Sequence, residues 1–290
     1  MDLTSFSLVM ISAISHAAWN YIAKDEEDKE AFMILINLTS LLLFIPVYFF
    51  LLSTLRFPIE VFGCLLISGV AETLYFVALG KAYQSGDLSV VYPLARSSPM
   101  FLTIVAVLFL KETVTTSGLF GIILILVGVY TLHLKSFNLN DLSLPLQSLS
   151  EPSSLFALTA AIGTTIYSVT DKLGVTSVDP LLYSFWLGFF DTGMLLVVTL
   201  RGRGLRIFKG PTRKTIIKSS IAGILMKGGY ILVLVALSIS QVSYIISLRQ
   251  ISVVIGALLG VLLLKESYGK IRILSSIIMF TGVFILGVFA

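Results

Sequence analysis

Five ionisable side chains lie inside long apolar stretches of this sequence. Arg96, Lys227 and Arg249 are basic, whereas Glu72 and Asp191 are acidic. A charge at bilayer depth costs from ~3 kcal/mol on insertion scales to more than ~10 kcal/mol in simulations, so each such residue indicates a functional site by default. Three cations against two carboxylates leave a positive excess, which suits an anionic ligand.

Arg96 lies in the most unusual of these segments, residues 92–99 with the sequence YPLARSSP. The two prolines remove backbone donors and disfavour regular helix just before each of them. An interrupted membrane helix is tolerated only where it is buried in protein or lines a cavity, and a guanidinium at such a break can fork onto a carboxylate or phosphate. We predict that Arg96 and Arg249 bind substrate. The alternative for Arg96 is a structural salt bridge, for example with Glu72.

Glu72 and Lys227 occupy corresponding positions in the two halves, because each precedes a tyrosine (Tyr75 or Tyr230) by three residues. A two-fold relation between the halves would bring these opposite charges together, so we hypothesise an ion pair that substrate opens. The alternative is that each binds a different partner.

Proton coupling is a further role predicted for a carboxylate in this region. Glu72 is the first candidate and Asp191 the second, while Asp171 lies near the end of an apolar stretch and is interpreted as interfacial.

A set of polar and aromatic side chains is also predicted to line the pathway and contact substrate. The tyrosines can supply hydroxyl donors, although some of these aromatic residues are expected at the membrane interface or in packing contacts. The histidine of the set has the alternative of a hydrogen-bonded packing role. The set comprises His16, Trp19, Asn20, Tyr75, Tyr92, Tyr230 and Tyr244, together with Lys227.

The residues that metal or nucleophilic chemistry would need are scarce. Cys64 is the only cysteine, and the only histidines are His16 and His133, which are far apart in sequence. No nucleophile with its base, metal-ligand cluster or phosphate-binding glycine loop of P-loop spacing is apparent. We therefore predict no enzyme activity, no metal or cofactor, and no direct use of ATP.

The elements that must position these residues are membrane helices. The chain is 57% hydrophobic and 12% charged, with a mean hydropathy of +0.99, which is too apolar for one soluble core. Apolar stretches of about 20 residues, the length that crosses a bilayer, recur along it. Ten spans are predicted, at 4–23, 31–53, 59–80, 88–110, 114–134, 153–172, 180–199, 215–237, 241–264 and 268–289.

The two halves of the chain resemble each other at nearly constant spacing. Arg249 follows Arg96 by 153 residues, and Lys265-Glu266 follows Lys111-Glu112 by 154. Five spans lie on each side of a turn-rich segment, and an odd number per copy forces the second copy to insert inverted. The predicted fold is an all-α membrane protein with ten transmembrane helices as two inverted five-helix repeats. The repeats are 1–134 and 152–290, joined by a connecting loop at 135–151.

The copies also differ, because the prolines that flank Arg96 have no counterparts around Arg249. Only the first half is therefore predicted to contain a broken helix.

Basic residues are distributed unevenly among the predicted loops. One set of loops holds fourteen, seven of them within 201–218, and the other set holds three. The positive-inside rule places the basic set in the cytoplasm and both termini outside. Lipid head groups and topology account for the basic loop, so no nucleic-acid partner is predicted.

These features resemble the EamA-type transporters of the drug/metabolite transporter superfamily. The resemblance covers essentially the whole chain and rests on the YPLAR sequence at 92–96, the two Lys-Glu pairs, and a Gly-Val near the end of each half. The sequence SHAAWN at 15–20, followed by Lys24, is similar to a subgroup sometimes associated with phosphonate utilisation.

The resemblance implies a central cavity lined mainly by the first, third and fourth spans of each half, and alternating access. It also implies cytoplasmic termini, the opposite of what the loop charges indicate. We expect a secondary active exporter or exchanger of small polar or anionic organic metabolites, driven by protons or a counter-substrate, in the plasma membrane of a prokaryote. The alternative is a non-transporting receptor or scaffold that retains the fold.

Overall fold

All regular secondary structure in the described part of the chain is helical. This computed structural model describes residues 2–24, 26, 28–51, 56–85, 88–132, 134, 138–204, 211–255 and 270–289. Six helices in these ranges are long and apolar enough to cross a membrane, and further apolar helices are shorter. The prediction of an all-α membrane protein is confirmed.

The helices run in the following order along the chain. They are α1 (Leu3–Lys24), α2 (Lys29–Leu51), a 3₁₀ turn (Ile59–Val61), α3 (Phe62–Ser85), α4 (Leu88–Ala95), α5 (Ser98–Phe109), α6 (Thr116–Leu132), α7 (Leu139–Gln147), α8 (Pro152–Ser177), α9 (Pro180–Arg203), α10 (Arg213–Ile239), α11 (Val242–Arg249) and α12 (Lys270–Phe289). Residues 251–255 are also helical. The short helix α7 lies within the segment predicted as a connecting loop.

Local sequence signals account for several helix starts. Helices α8 and α9 begin with proline, whose fixed φ suits the first helical turn and whose missing N–H costs nothing there. The Asp179 carboxylate accepts hydrogen bonds from the amides of Leu181 and Leu182 at the start of α9. Thr212 caps α10 in the same way through the amide of Thr215.

Helix α6 packs against α12 through small residues related by the internal repeat. Gly121 contacts Gly282, and Gly128 contacts Ser275 and Met279. Gly128 and Gly282 are 154 residues apart, as are Gly121 and Ser275, so exchanging the halves maps one contact onto the other. The two helices are antiparallel, as an inverted repeat requires, and small residues let their backbones approach closely.

Two other antiparallel pairs are related in the same manner. Helix α1 packs against α10, and helix α3 packs against α8. The Ser240 hydroxyl beyond the end of α10 donates to Ser5 Oγ at the start of α1 (2.7 Å). In the second pair, the Ser68 hydroxyl early in α3 reaches the Asp171 carboxylate late in α8 (2.6 Å). Each pair joins one half to the other, so the halves share one interface.

Between α4 and α5 the backbone departs from α-helical bonding. The amide of Ser97 donates to the carbonyl of Leu94, and that of Met100 to Ser97, both three residues back. Pro99 has no N–H to continue the ladder. Arg96 stands in the turn between the two helices, as predicted for a proline-interrupted segment.

The second half departs at the corresponding turn, so the prediction of a break in the first half alone is wrong. Arg249 ends α11, and Gln250 adopts a turn before residue 251. The amide of Gln250 donates to Ser247, and that of Val253 to Gln250, again three residues back. Prolines are sufficient to interrupt a helix, but tight turns of this kind form without them.

Gly128→Ala tests the α6–α12 contact. A Cβ there would lie 2.2 Å from Met279 Cγ and 2.8 Å from the Ser275 carbonyl oxygen, and the carbonyl belongs to backbone that cannot swing away. We expect a loss of about 1–3 kcal/mol in the free energy of unfolding, seen as a lower midpoint of thermal unfolding in detergent.

Gly193→Ala is the matched control, because a Cβ at this helical position meets nothing within 4 Å. It should keep or slightly raise the midpoint, since alanine is the better helix former by roughly 0.5–1 kcal/mol. Equal midpoints for the two variants would contradict the proposed packing.

Candidate functional site

A cavity of about 660 Å³ lies among the helices of both halves. Its walls come from α1, α2, α3, α8, α9 and α10, and from the two interrupted segments around Arg96 and Arg249. The second helices of each half, α2 and α9, therefore contribute along with the first, third and fourth spans that the family resemblance implied.

The cavity reaches toward one end of the bundle. Its lining residues extend from the middle of α1 and α3 toward their last turns and from the middle of α2 toward its first turns, whereas those of α10 lie at its middle, between 225 and 230. Two of them, Asn20 and Gly80, are exposed. The opposite end, where α1 begins and α10 ends, contributes no lining residue among those described.

The structure brings all the predicted site residues except Tyr244 to the wall of this cavity. These are His16, Trp19, Asn20, Glu72, Tyr75, Tyr92, Arg96, Asp191, Lys227, Tyr230 and Arg249. They come from six different helices and one turn, so residues far apart in sequence face one space.

Tyr244 lies away from the cavity wall, contrary to the prediction that it lines the pathway. It is 4% exposed, and its hydroxyl accepts a hydrogen bond from the amide of Thr115 (2.9 Å). Its ring packs where a side chain on Gly118 would stand, since a Cβ there would lie 2.4 Å from the hydroxyl oxygen. Tyr244 therefore joins α11 to the start of α6.

The two arginines stack on tyrosine rings. The guanidinium carbon of Arg96 lies 5.5 Å from the ring centre of Tyr92, and that of Arg249 lies 5.4 Å from the ring centre of Tyr230. Cation–π contacts of this kind stabilise a cation away from water. A stacked guanidinium keeps its donors in the plane of the group, which is the geometry that binds carboxylate or phosphate.

Glu72 and Asp191 form a pair of carboxyl groups across the two halves. The two side chains, from α3 and α9, lie within hydrogen-bonding reach of each other. Glu72 Oε2 and Asp191 Oδ1 are buried, and neither atom has a hydrogen-bond partner in the described structure. Two bare carboxylates this close repel each other, and sharing one proton would relieve that repulsion.

Lys227 lies beside this pair but does not bind Glu72 directly. Its side chain is buried, and Nζ donates to the carbonyl of Ser184 (2.8 Å). Within the described chain, no ion pair of 4 Å or less joins Lys227 to Glu72. The hypothesised contact is therefore absent from this conformation. Gly188 makes room for the ammonium, since a Cβ there would lie 2.9 Å from Nζ.

His16, Trp19 and Asn20 form one hydrogen-bonded unit on a face of α1. The indole Nε1 of Trp19 donates to His16 Nδ1 (3.2 Å), and the Asn20 side-chain amide donates to the His16 carbonyl (2.7 Å). Because Nδ1 accepts a hydrogen bond, the ring is the neutral tautomer with its proton on Nε2. Both the packing and the cavity-lining interpretations of His16 fit this arrangement.

Asp171 is the main residue that the sequence interpretation misplaced. Rather than interfacial, it is fully buried and accepts hydrogen bonds from the hydroxyls of Ser68, Tyr183 and Tyr230. Helix α8 continues six residues beyond it, to Ser177, which keeps Asp171 inside the bundle. Hydroxyl groups on three other helices bind Asp171 in place of water. The sequence does not indicate which residues on other helices reach it.

Tyr167 also lines the cavity and was not predicted. A usable signal existed, because it follows Trp19 by 148 residues, the same separation as Lys24 and Lys172.

Charged side chains bind helix ends at the opposite end of the bundle. Glu112 accepts hydrogen bonds from the amides of Val242 (2.6 Å) and Ser243 (3.2 Å) and from the Ser243 hydroxyl (2.6 Å). A carboxylate at a helix N-terminus is favourable because the free amides carry partial positive charge. Lys111 precedes it with a φ of 56°, which turns the chain after α5.

Lys172 makes the complementary contact at a helix C-terminus. Its Nζ donates to the carbonyls of Leu237 (2.6 Å) and Ser240 (2.9 Å), where α10 ends. The carboxylate of Asp2 lies at the same helix end, 3.0 Å from the Ser240 hydroxyl oxygen. Hydrogen bonds from the backbone and side chain of Ser5 lower the pKa of Asp2 to about 2.

Some predicted features lie outside the described residues. They are the second Lys-Glu pair (Lys265 and Glu266) and His133.

The comparison with known families agrees with this architecture. The model of the EamA-like transporter family matches residues 3–134 and 152–288, which is nearly the entire chain in two copies. The chain belongs to the EamA-like transporter family. It is therefore a multi-pass membrane transporter of the drug/metabolite transporter superfamily and not an enzyme, as predicted.

Two individual proteins are similar to this EamA-like chain. An uncharacterised protein of Methanocaldococcus jannaschii is 24% identical over 135 residues, which cover 46% of this chain and 98% of the relative. That relative thus has the length of one repeat. A solved structure titled only "Crystal structure of protein" has a TM-score of 0.73 at 15% identity and covers 98% of this chain and 94% of its own. At that identity the likeness shows the fold alone.

Glu112→Ala tests the hydrogen bonds between Glu112 and the first amides of α11. We call this end of the bundle the closed end, because no described residue from it lines the cavity. Removing the carboxylate leaves the first amides of α11 without their acceptor, so we expect the free energy of unfolding to fall by about 2 kcal/mol. The midpoint of thermal unfolding in detergent measures this loss.

Glu151→Ala is the matched control, because Glu151 stands at the N-terminus of α8 and its side chain makes no capping hydrogen bond. Its midpoint should stay close to that of the unmodified protein. If the Glu112→Ala protein were as stable as the Glu151→Ala protein, the Glu112 cap on α11 would contribute nothing to the free energy of unfolding.

Proposed function

We propose that this protein is a secondary active transporter of small organic anions that works by alternating access as an exporter or exchanger. The observation that carries the proposal is the convergence of Arg96, Arg249 and Lys227 on one cavity. Anions would bind there through charge-assisted hydrogen bonds, which are the strong ones in a site shielded from water.

The balance of charge in the cavity supports an anionic substrate. Three cations face the carboxyl groups of Glu72 and Asp191, and a shared proton reduces that pair to a single negative charge. The site is left with an excess of positive charge that an anion would compensate. Aromatic walls, including Tyr75 and Tyr167, suit an organic body attached to the anionic group.

The proposed transmembrane arrangement has ten spans in two inverted five-helix repeats, 1–134 and 152–290. The six long helices would account for six spans. Helices α4 and α5 would form one interrupted span, α11 with residues 251–255 would begin another, and α6 and α12 would complete the set. The exchange of glycine contacts between α6 and α12 supports the two-fold relation.

The proposal of alternating access rests on a difference between the two ends of the bundle. The cavity extends toward one end, while Glu112 and Lys172 bind helix ends at the other. Opening the second end requires these hydrogen bonds to break, so they are proposed to stabilise the present conformation. Rocking of one repeat against the other is the expected motion for an inverted-repeat transporter.

The carboxyl pair is the proposed proton site. Glu72 and Asp191 belong to different repeats, so a rocking motion changes their separation. A pair in contact holds a proton that two separated carboxylates would release. This arrangement would couple proton movement to the conformational change. The proposed location is the plasma membrane of a prokaryote, which the archaeal relative supports.

Transport itself is tested by flux into proteoliposomes. The probes are radiolabelled succinate, glutamate, glycerol 3-phosphate and 2-aminoethylphosphonate, with tetraphenylphosphonium as a cationic comparison. We expect anion flux driven by a pH gradient or by counter-substrate. Arg96→Ala and Arg249→Ala should each lower it about tenfold or more, the effect of losing one charge-assisted contact.

Arg56→Ala is the matched control, since Arg56 is exposed and pairs with Glu60 on the surface. It should transport normally. If no gradient or counter-substrate drove flux of any anion, the chain would be better explained as a receptor or scaffold. Loss of monodispersity in both cavity variants would instead indicate that the arginines serve the fold.

Glu72→Gln and Asp191→Asn test proton coupling. Each variant replaces an ionisable group by a neutral isostere, so we expect proton-driven accumulation to be lost while exchange of labelled for unlabelled substrate continues. A pH-sensitive dye trapped in the vesicles reports proton movement in parallel.

The control is Glu60→Gln, which alters an exposed carboxylate far from the cavity wall. Retention of substrate-coupled proton movement by both cavity variants would refute the role of the pair.

A further inference from the structure

Asp171 is a buried carboxyl group that does not itself line the cavity. Its Oδ1 accepts from the hydroxyls of Ser68 (2.6 Å) and Tyr183 (2.8 Å), and its Oδ2 accepts from the hydroxyl of Tyr230. Of these four residues only Tyr230 belongs to the cavity wall. Asp171 therefore meets the cavity through a single side chain.

The direction of these hydrogen bonds fixes what Tyr230 can offer a substrate. Three hydroxyl donors favour the ionised form of Asp171, and a carboxylate only accepts, so each hydroxyl points its hydrogen at Asp171. The Tyr230 hydroxyl hydrogen is thus committed and cannot donate into the cavity. What Tyr230 presents is its ring, with the guanidinium carbon of Arg249 5.4 Å from the ring centre.

Donation to an anion also strengthens the contact with Arg249. A phenol that donates its hydrogen to a carboxylate gains electron density, and a cation is attracted to the electron-rich face of the ring. Asp171 therefore acts on Arg249 in two ways, because it fixes the plane of the ring and enriches its face.

The sequence around Asp171 makes room for this arrangement. Gly174 lies one turn further along α8, and a Cβ there would stand 2.2 Å from the ring of Tyr183. Without a side chain at this position, Tyr183 can lie against α8 and bring its hydroxyl to Asp171. Both Asp171 and Tyr183 are fully buried.

The first repeat has no equivalent of this carboxylate. The position 148 residues before Asp171 is Ala23, and Arg96 stacks on Tyr92 rather than on Tyr75, the counterpart of Tyr230. Tyr92 lies four residues from Arg96 on the same segment, whereas Tyr230 and Arg249 lie on different helices. Arg249 therefore depends on a tertiary support that Arg96 does not use.

We propose that Asp171 is a positioning residue that sets the affinity of the cavity for anions by holding the Tyr230 ring against Arg249. The proposal rests on the anion-binding role of Arg249 in the proposed function. It adds that the two arginines are supported by different means, and that a residue out of reach of the substrate controls one of them.

Anion binding can be measured without knowing the physiological substrate. The chain has two tryptophans, of which Trp19 lines the cavity and Trp186 does not. In a Trp186→Phe background, Trp19 fluorescence reports occupancy of the cavity. The probes are inorganic phosphate and succinate, titrated separately into purified full-length protein.

Asp171→Asn and Tyr230→Phe are the test variants. Tyr230→Phe removes one hydroxyl and keeps the ring, so it remains informative if Asp171→Asn fails to fold. We expect each to raise the Kd of the anion about fivefold or more, because the ring at position 230 is then no longer held against Arg249. The double variant should be no weaker than either single variant, because both break one interaction.

Ser68→Ala and Tyr183→Phe are the matched controls, because they remove the other two donors to the same carboxylate. They should lower the midpoint of thermal unfolding and leave the Kd within about twofold, since the Tyr230 contact remains. If they raised the Kd as much as Asp171→Asn does, Asp171 would be a structural residue only and the proposal would be overturned.

Arg249→Ala separates this inference from the proposed function. A raised Kd in Arg249→Ala with an unchanged Kd in Asp171→Asn overturns the positioning role alone. An unchanged Kd in Arg249→Ala, or no binding of either anion to the starting protein, overturns the proposed anion site and the inference together. In the Arg249→Ala background, Asp171→Asn should add nothing, and any further rise in Kd would contradict action through Arg249.

Discussion

A charge inside a membrane must be compensated by the protein itself, because lipid offers neither hydrogen bonds nor counter-ions. The charged groups of the cavity meet that constraint in three ways. The arginines lie on tyrosine rings, Lys227 donates to a helix carbonyl, and Glu72 contacts Asp191. These arrangements need groups from several helices at once, so the positions of the helices and the chemistry of the cavity are set together.

Several of the compensating contacts cross between the halves of the chain. Glu72 belongs to the first half and Asp191 to the second, and Ser68 of the first half binds Asp171 of the second. Glu112 does the same at the closed end with the amide of Val242. Neither half satisfies all of its own buried charges, which gives a physical reason why a duplicated unit would stay joined rather than act as two separate proteins.

The sequence was sufficient to predict the helical membrane fold and the charged residues of the cavity wall, because ionisable residues in apolar stretches are rare enough to identify. It was insufficient where a side chain depends on partners from other helices. Asp171 is buried because three hydroxyls reach it, and Tyr244 faces away because its helix is rotated toward Thr115. The turn at Gln250 forms without a nearby proline, so the sequence did not predict it. Helix rotation and tertiary hydrogen bonding leave no periodic trace in one sequence.

Helix α11 connects the helix end bound by Glu112 to the cavity. It is eight residues long, which corresponds to about 12 Å, and its N-terminus is bound by Glu112 while its last residue is Arg249. A rod of two turns is too short to bend without breaking its own hydrogen bonds. A displacement of the α11 N-terminus, which Glu112 binds, must therefore also displace Arg249 in the cavity. The exception is a pivot of the whole helix about one of these two points.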